Sequence, residues 1–545
     1  METCTSCRQQ FGILPEDQKL YDEYKFPRPT LCPGCRHQER CAQRNERTLY
    51  KRKCDLCKTP IITIFSGARP FPVYCSDCWW SDRWDPLSYG RDFDFSRPFF
   101  DQFRELQDVV PRLALNNVRH ENSEYCNQST GNKNSYLLFG SDDNEDSMYG
   151  VWINRCIDTY NSNNLADCRN SCELLDSENC TECVASQDLK NCYNCSFCFD
   201  LIGCSNCFGS AGLRNKQYYI LNTPYGKVEY FQKIAEFDPG SFTSFSAWQQ
   251  RFREQIRLMT PHKYAHILQS ENVSGDYISQ SKNCQFCFDI FDAEDSRYAY
   301  NLVHRHFRNV DVSYVTELRN AYQVTSGIGQ DIFLSMMALY CSDIWYSDLA
   351  FSAEKLFGCV GIRHEQQCIF NRKYVPKEFL ELRSKVMDHM RSTGEWGLFF
   401  PVKNSLYAYN ESVASDFFPL TKAEILARGW RCKEPDRKEY RAQTVILPDH
   451  IRDTPPNIVK EVLACTSCGK NYRMLEKELT AYSNLPVPLP RLCPDCRYLE
   501  RLQLRNPRQL WARNCVRCGI AVESTYAPDR PEEICCEKCY LEALN

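Results

Sequence analysis

Sixteen cysteines are spaced as metal-ligand pairs. Near the start they are Cys4/Cys7, Cys32/Cys35, Cys54/Cys57 and Cys75/Cys78; near the end Cys465/Cys468, Cys493/Cys496, Cys515/Cys518 and Cys536/Cys539. Each cysteine of the second set lies 461 positions after its counterpart in the first. A CxxC turn presents two thiolates to one ion, and two such turns complete the tetrahedral shell that zinc prefers. Four pairs per module predict two Cys4 sites per module and four zinc ions per chain. Four protein ligands leave no open position for water or substrate, so these are structural sites. Within a module sequential pairing, first with second and third with fourth, is expected, and interleaved pairing is the alternative. The competing use is disulfides or redox dithiols. The Met1-Glu2-Thr3-Cys4 start shows no basic and then apolar leader. The expected compartment is the reducing cytoplasm, where thiols serve more often as ligands or small buried side chains.

The offset of 461 also relates Leu31/Leu492, Pro33/Pro494, Glu39/Glu500, Asn45/Asn506 and Leu49/Leu510, which marks an internal duplication. Cys4-Thr5-Ser6-Cys7 with Phe11, Pro27 and Pro29, followed by Cys32-Pro33-Gly34-Cys35-Arg36, resembles the zinc-ribbon family of treble-clef type. Cys465-Thr466-Ser467-Cys468-Gly469-Lys470 with Pro490 and Cys493-Pro494-Asp495-Cys496-Arg497 resembles it as well. The resemblance covers about the first half of each module, and it implies that Cys32/Cys35 and Cys493/Cys496 open helices. The whole layout is similar to an uncharacterised multi-zinc-ribbon protein family of candidate-phylum bacteria.

Those helices carry basic stripes. Arg36, Arg40, Arg44 and Arg47 step by 4, 4 and 3, and so do Arg497, Arg501, Arg505 and Arg508. Such steps put each set on one helix face. Guanidinium groups at that density suit a phosphate backbone, which makes the eight arginines candidate nucleic-acid-binding residues, with RNA or a ribonucleoprotein as partner. The alternative is a face packed on the rest of the chain. Residues 116–230 hold 15 acidic and 8 basic side chains, so tail and body attract each other.

The middle has a shorter period. Units beginning at Asn122, Asn134, Asp146, Asp158, Asn170, Asn179, Asn191, Gly203 and Asn215 step by 12 with one step of 9. Asn, Asp and Gly tolerate the left-handed conformation that corners require. Between them lie β-favouring runs such as Tyr136-Leu137-Leu138-Phe139. The pattern predicts a β-solenoid with two units per coil, leaving room inside for Trp152, Phe197 and Phe199. Cys180/Cys192/Cys204 and Cys183/Cys195/Cys207 then form buried thiol ladders, although CxxCxxC at Cys192, Cys195 and Cys198 also admits a metal. An offset of 149 relates a second array to the first: Asn134/Asn283, Tyr149/Tyr298, Phe208/Phe357 and Arg214/Arg363. Helices over 227–259, broken at Asp238-Pro239-Gly240, and over 376–390 are expected to cap the arrays.

The expected fold is mainly β. Two tandem β-solenoid (β-helix-like) repeat domains are flanked by N- and C-terminal treble-clef or zinc-ribbon modules, with capping helices. The domains are 1–90 (zinc module), 91–260 (first solenoid), 261–400 (second solenoid), 401–460 (linker) and 461–545 (zinc module). With 545 residues, 43% hydrophobic and 25% charged, the chain is a globular multidomain protein, and it has no apolar run long enough to span a membrane. Nine histidines supply no HExxH, and neither a Gly-rich phosphate loop nor GxSxG occurs, so no catalytic constellation is recognised. His304 and His306, with Asp311 nearby, read as surface residues. The aromatic stretch from Trp79 to Phe103 reads as packing rather than as a base-stacking platform. The expected function is a non-catalytic zinc-binding protein that binds nucleic acid through its arginine helices. A protein–protein scaffold using the acidic solenoid is the alternative, and a carbohydrate-active β-helix enzyme is the third reading.

Overall fold

A computed structural model describes residues 1–303, 306–434 and 439–544. His304 lies outside the described residues. The molecule is mainly sheet, with twelve α-helices and several parallel sheets among the described residues.

In the middle of the chain, four-residue strands pair in parallel at a register of twelve. Val151 pairs with Asn163, Asn163 with Leu175, Leu175 with Gln187 and Gln187 with Phe199. A second row pairs Ile157 with Arg169, Tyr193 with Ser205 and Ser205 with Gln217. The step from one strand to its neighbour is therefore one twelve-residue unit, not the two expected. Left-handed backbone recurs every third residue, as at Asn161, Asn164, Asp167, Asn170, Glu173 and Asp176, so each unit has four corners. The residue after each corner is small or aliphatic and fully buried: Ser162, Leu165, Cys168, Ser171, Leu174. A three-residue side fits only such side chains inside. The aromatics therefore sit outside the rungs, covered by other elements. Phe197 packs on Phe245 and Trp248, and Trp152 stacks on Tyr314.

Serine and cysteine side chains inside the stack find partners along it, while Asn117 Oδ1, Gln187 Oε1, Asn309 Oδ1 and Thr325 Oγ1 are buried without one. Ser147 Oγ donates to the Glu145 carbonyl at 2.9 Å and accepts the Thr159 amide one rung on at 3.2 Å. The buried thiols behave alike: Cys192 Sγ donates to the Leu201 carbonyl and Cys198 Sγ to that of Cys207, both at 3.4 Å. Paired donors remove the cost of burying hydroxyls and thiols.

The second array keeps this register with three irregularities, the first an eleven-residue step that pairs Ile267 with Ile278. Tyr300 pairs with Ser313, a step of thirteen. An eleven-residue step follows, with Asn320 Nδ2 donating to Asp331 Oδ1 at 3.3 Å. The thirteen-residue step and the eleven-residue step after it cancel, so the offset is 149 on either side of them and 150 between.

Helices Lys227–Phe237 and Phe242–Glu254 follow the first array, and Pro376–Ser392 follows the second. The aromatic connector is mostly core: Trp79, Phe99 and Phe103 are fully buried, and Phe99 meets Tyr346, Phe357 and Phe370 of the second array. His306, expected at the surface, is buried. Within the expected linker, Val402, Tyr409, Val413, Ala414 and Ile425 form a buried cluster with Cys41 and Tyr314.

Candidate metal centres and arginine faces

The sixteen cysteines converge in four groups: Cys4/Cys7/Cys32/Cys35, Cys54/Cys57/Cys75/Cys78, Cys465/Cys468/Cys493/Cys496 and Cys515/Cys518/Cys536/Cys539. The pairs combine sequentially. Within each group all sulfurs lie within 4.8 Å of one another. The separations Cys7–Cys32, Cys57–Cys75, Cys468–Cys493 and Cys518–Cys536 are 3.6, 3.8, 3.7 and 3.7 Å. A tetrahedral ion with bonds of about 2.3 Å to sulfur sets its ligands about 3.8 Å apart, so the four groups fit a Cys4 metal site. Among the described residues these are the groups of three or more Cys, His, Asp or Glu close enough to share an ion. The thiols inside the arrays are buried but do not converge in this way.

Local sequence builds each site. The first pair lies on the turn of a short antiparallel ribbon, as between Glu2–Thr3 and Gln10–Phe11. The residue after it is left-handed: Arg8, Lys58, Gly469 and Gly519. The second pair opens a helix. Cys32, Cys75 and Cys493 are the N-caps of Pro33–Ala42, Ser76–Trp79 and Pro494–Leu502. Free N–H groups and the positive end of the helix dipole favour thiolates there.

The arginine stripes do not face solvent. Arg40 is fully buried; Arg36, Arg44, Arg497 and Arg501 are at most 7% exposed. Arg36 Nε meets Asp311 Oδ2 at 2.9 Å and Arg40 Nη1 meets Asp311 Oδ1 at 3.1 Å. Arg44 pairs with Glu46 at 2.6 Å and Arg47 with Asp416 at 3.3 Å. In the second copy Arg497 Nη1 donates to Glu478 and Asn161, at 3.0 and 2.8 Å. Arg501 Nε donates to Asn163 Oδ1 at 3.2 Å. Arg505 meets Asp176 at 3.0 Å, and Arg508 meets Asp289 at 2.8 Å. Burial alone would raise the Asp289 carboxyl, but Arg505 and Arg508 hold it down to about 2. The expectation that these eight side chains are free for phosphates is therefore corrected. An acidic array lies within reach of each stripe, and a buried guanidinium requires a paired acceptor.

The docking is crossed. Arg36 and Arg40 lie on the second array and Arg497 and Arg501 on the first, through equivalent contacts, while Arg505 and Arg508 also reach Asp289 of the second array. Arg36 lies over Tyr298 and Arg497 over Tyr149, at 5.2 and 4.7 Å from the ring centres. Arg40 Nε donates to Ser313 where Arg501 Nε donates to Asn163. Arg363 donates to the Trp79 carbonyl, and Arg214 donates to the hydroxyl of Tyr540, which stands at the position of Trp79. The modules also touch each other, with Arg47 3.6 Å above the Tyr498 ring. Asp311, Asp289, Tyr149 and Tyr298 were not recognised as partners from sequence. The signals were the excess of acid in the first array and the Tyr149/Tyr298 match.

A second polar group lies between the arrays, with Asp276 buried and His266 half-buried. His266 Nδ1 is 2.9 Å from Asp276 Oδ1, and Tyr277 donates to Asp188 Oδ1 at 2.9 Å. Burial would lower the His266 pKa, but Asp276 and Asp188 raise it to about 9. Among the described residues no helix is long and apolar enough to cross a membrane. No family model and no curated protein matches the chain.

Proposed function

We propose that this chain is a non-catalytic interaction scaffold held in shape by four structural zinc ions. On this reading the units are 1–90, 91–260, 261–400 and 461–545, joined in part through 401–460. The stacked twelve-residue rungs form two β-solenoids, and the end modules clamp them crosswise. The observation that carries the reading is the burial of both arginine stripes against carboxylates of the arrays. It turns the most basic surfaces of the chain into internal joints and leaves a chain of net charge −4 to meet its partners. Zinc supports this use because a closed thiolate shell fixes a small module without needing a large core. A rigid, acidic, repetitive surface suits a protein partner with basic side chains.

Binding RNA or a ribonucleoprotein through the same arginines is the second reading, and it requires the modules to lift off the arrays. The test is metal analysis of the purified chain together with its absorbance ratio at low salt and a titration with a labelled long RNA. Four zinc ions, no co-purifying nucleic acid and no salt-dependent RNA binding support the scaffold. RNA binding that weakens steeply with salt replaces it with the second reading.

A further inference from the structure

Inside the first array the thiols stand in columns. Cys183, Cys195 and Cys207 follow the left-handed corners Glu182, Asn194 and Asn206 on successive rungs, and Cys195 and Cys207 are register partners. Each takes the same pose. Its Sγ donates to the carbonyl two residues back, of Thr181, Tyr193 and Ser205, at 3.4, 3.4 and 3.6 Å. Cys180, Cys192 and Cys204 repeat this beside them, donating to Glu178, Lys190 and Ile202 at 3.3, 3.4 and 3.5 Å. A repeated pose sets stacked sulfurs one strand spacing apart, about 4.7–4.9 Å. Cys198 adds another thiol on the middle rung, and all of these lie in one buried cluster.

The fold does not require sulfur there. At the offset of 149, Cys183, Cys195 and Cys207 correspond to Ile332, Ile344 and Leu356, and Cys204 corresponds to Ala353. These residues are buried too, and Ile344 pairs with Leu356 as Cys195 does with Cys207. Elsewhere in the first array Ser171, Ser186 and Ser210 hold inner positions. Aliphatic and hydroxyl side chains therefore fill the same space, and the columns are a chemical difference between two arrays of one design.

We infer that these columns bind a soft monovalent cation, Cu(I), held between successive rungs in two-coordinate S–Cu–S links. The sulfurs do not converge as the sixteen ligand cysteines do, so a tetrahedral zinc ion finds no shell among them. A linear link needs only two sulfurs on opposite sides. With metal–thiolate bonds of about 2.3 Å it spans about 4.6 Å, close to the rung spacing. Thiolates are the protein ligands that favour Cu(I). In each link two thiols release two protons to solvent and two sulfur–copper bonds form, leaving one negative charge. A thiolate shared by two ions keeps that charge from growing along a column. One backbone N–H already points at a column sulfur: Lys216 donates to Cys204 Sγ at 3.5 Å, as Cys75 donates to Cys54 Sγ at 3.3 Å within a Cys4 group. The columns end at Cys204 and Cys207, beneath a last rung where Lys216 is exposed and Tyr219 half-buried, and the ion enters from that end.

The experiment adds Cu(I), delivered without oxygen as its acetonitrile complex, to the full-length, zinc-loaded protein. Bound copper and zinc are measured after gel filtration, and thiolate-to-copper charge transfer is followed in the ultraviolet. Uptake of about two or more Cu(I) ions with all zinc retained is expected. Cys183→Ile, Cys195→Ile and Cys207→Leu together give this column the filling of the second array and should reduce uptake by about half or more. Serine at the same three positions serves the same end, since serine already holds inner positions of this array. Adding Cys180→Ser, Cys192→Ser and Cys204→Ser should abolish uptake, while Cys284→Ser with Cys359→Ser in the second array should leave it unchanged. Circular dichroism and zinc content show that each variant is folded. The inference is overturned if the wild type takes up no copper, if it does so only in exchange for zinc, or if the folded variant without both columns takes up as much. The zinc-held scaffold rests on the zinc content before copper is added and on RNA binding, so the two readings fail separately.

Discussion

The N-terminal module on the second array and the C-terminal module on the first use the same plan with different chemistry. In the first pairing one aspartate, Asp311, joins two buried arginines. In the second, Asn161 takes its place, and the carboxylates that matter are Glu478, Asp176 and Asp289. The interiors differ as well. The interior cluster of the first array holds ten cysteines beside its aliphatic residues, and that of the second holds five, Cys284, Cys287, Cys341, Cys359 and Cys368. A duplicated joint thus tolerates relocation of its charges and a change of its filling.

The largest effect expected is metal removal. Strong chelation should release four zinc ions and unfold both modules, because structural zinc in small domains contributes about 10–16 kcal/mol per ion. It should also undock both arrays, since the arginine helices begin at ligand cysteines. Elemental analysis and limited proteolysis follow both events. Two ions instead of four would break the symmetry of the comparison.

Asp311→Ala strands Arg36 and Arg40 and should cost about 3–5 kcal/mol. Asn161→Ala removes an uncharged acceptor of Arg497 and a hydrogen bond to Tyr482, and should cost about 1–3 kcal/mol. Urea unfolding monitored by tryptophan fluorescence gives both values, and equal costs would mean that the charge at this joint is immaterial.

The His266 pKa is raised from 6.5 to about 9. Its contribution is complete below pH 6.5 and is lost as pH rises through about 9. The side chain is 30% exposed, so screening reduces the loss to about 2 kcal/mol. Comparing stability against pH for the wild type and His266→Asn isolates it; parallel profiles would rule the contribution out.

Corners should respond alike in both arrays. Asn191 and Asn283 have φ of 53° and 52°. Replacing either by Val should cost about 1–2 kcal/mol, because a β-branched residue resists the left-handed region. A cost in one array alone would show that the other relaxes.

The smallest effect is expected at the knuckles. Gly469 has φ +73°, and a Cβ at this position would meet nothing within 4 Å. Gly469→Ala should therefore cost about 1 kcal/mol through backbone strain alone. Arg8 already accepts the equivalent conformation at φ 64°. Thermal unfolding of the C-terminal module provides the measurement.

Legibility in the sequence followed the range of each constraint. The CxxC pairs were readable because both ligands sit on one turn, and the helix openings followed from the resemblance. The twelve-residue period was visible, but its finer period of three was not. Small residues such as Ser162, Leu165 and Cys168 recur every third position, and Phe197 and Trp152 drew attention to an interior they do not occupy. The arginine stripes were found as helix faces, but what they face was misjudged.

By itself the sequence determined the four cysteine groups able to hold an ion, the two duplications and the corner residues, since each depends on spacing along a covalently continuous stretch. Tertiary structure alone decided that Arg36 and Arg40 share Asp311 and that Arg497 and Arg501 meet Asn161 and Asn163. Those pairings join residues hundreds of positions apart. Their choice depends on which acidic face the folded rungs present and on whether a buried charge finds its counterpart there.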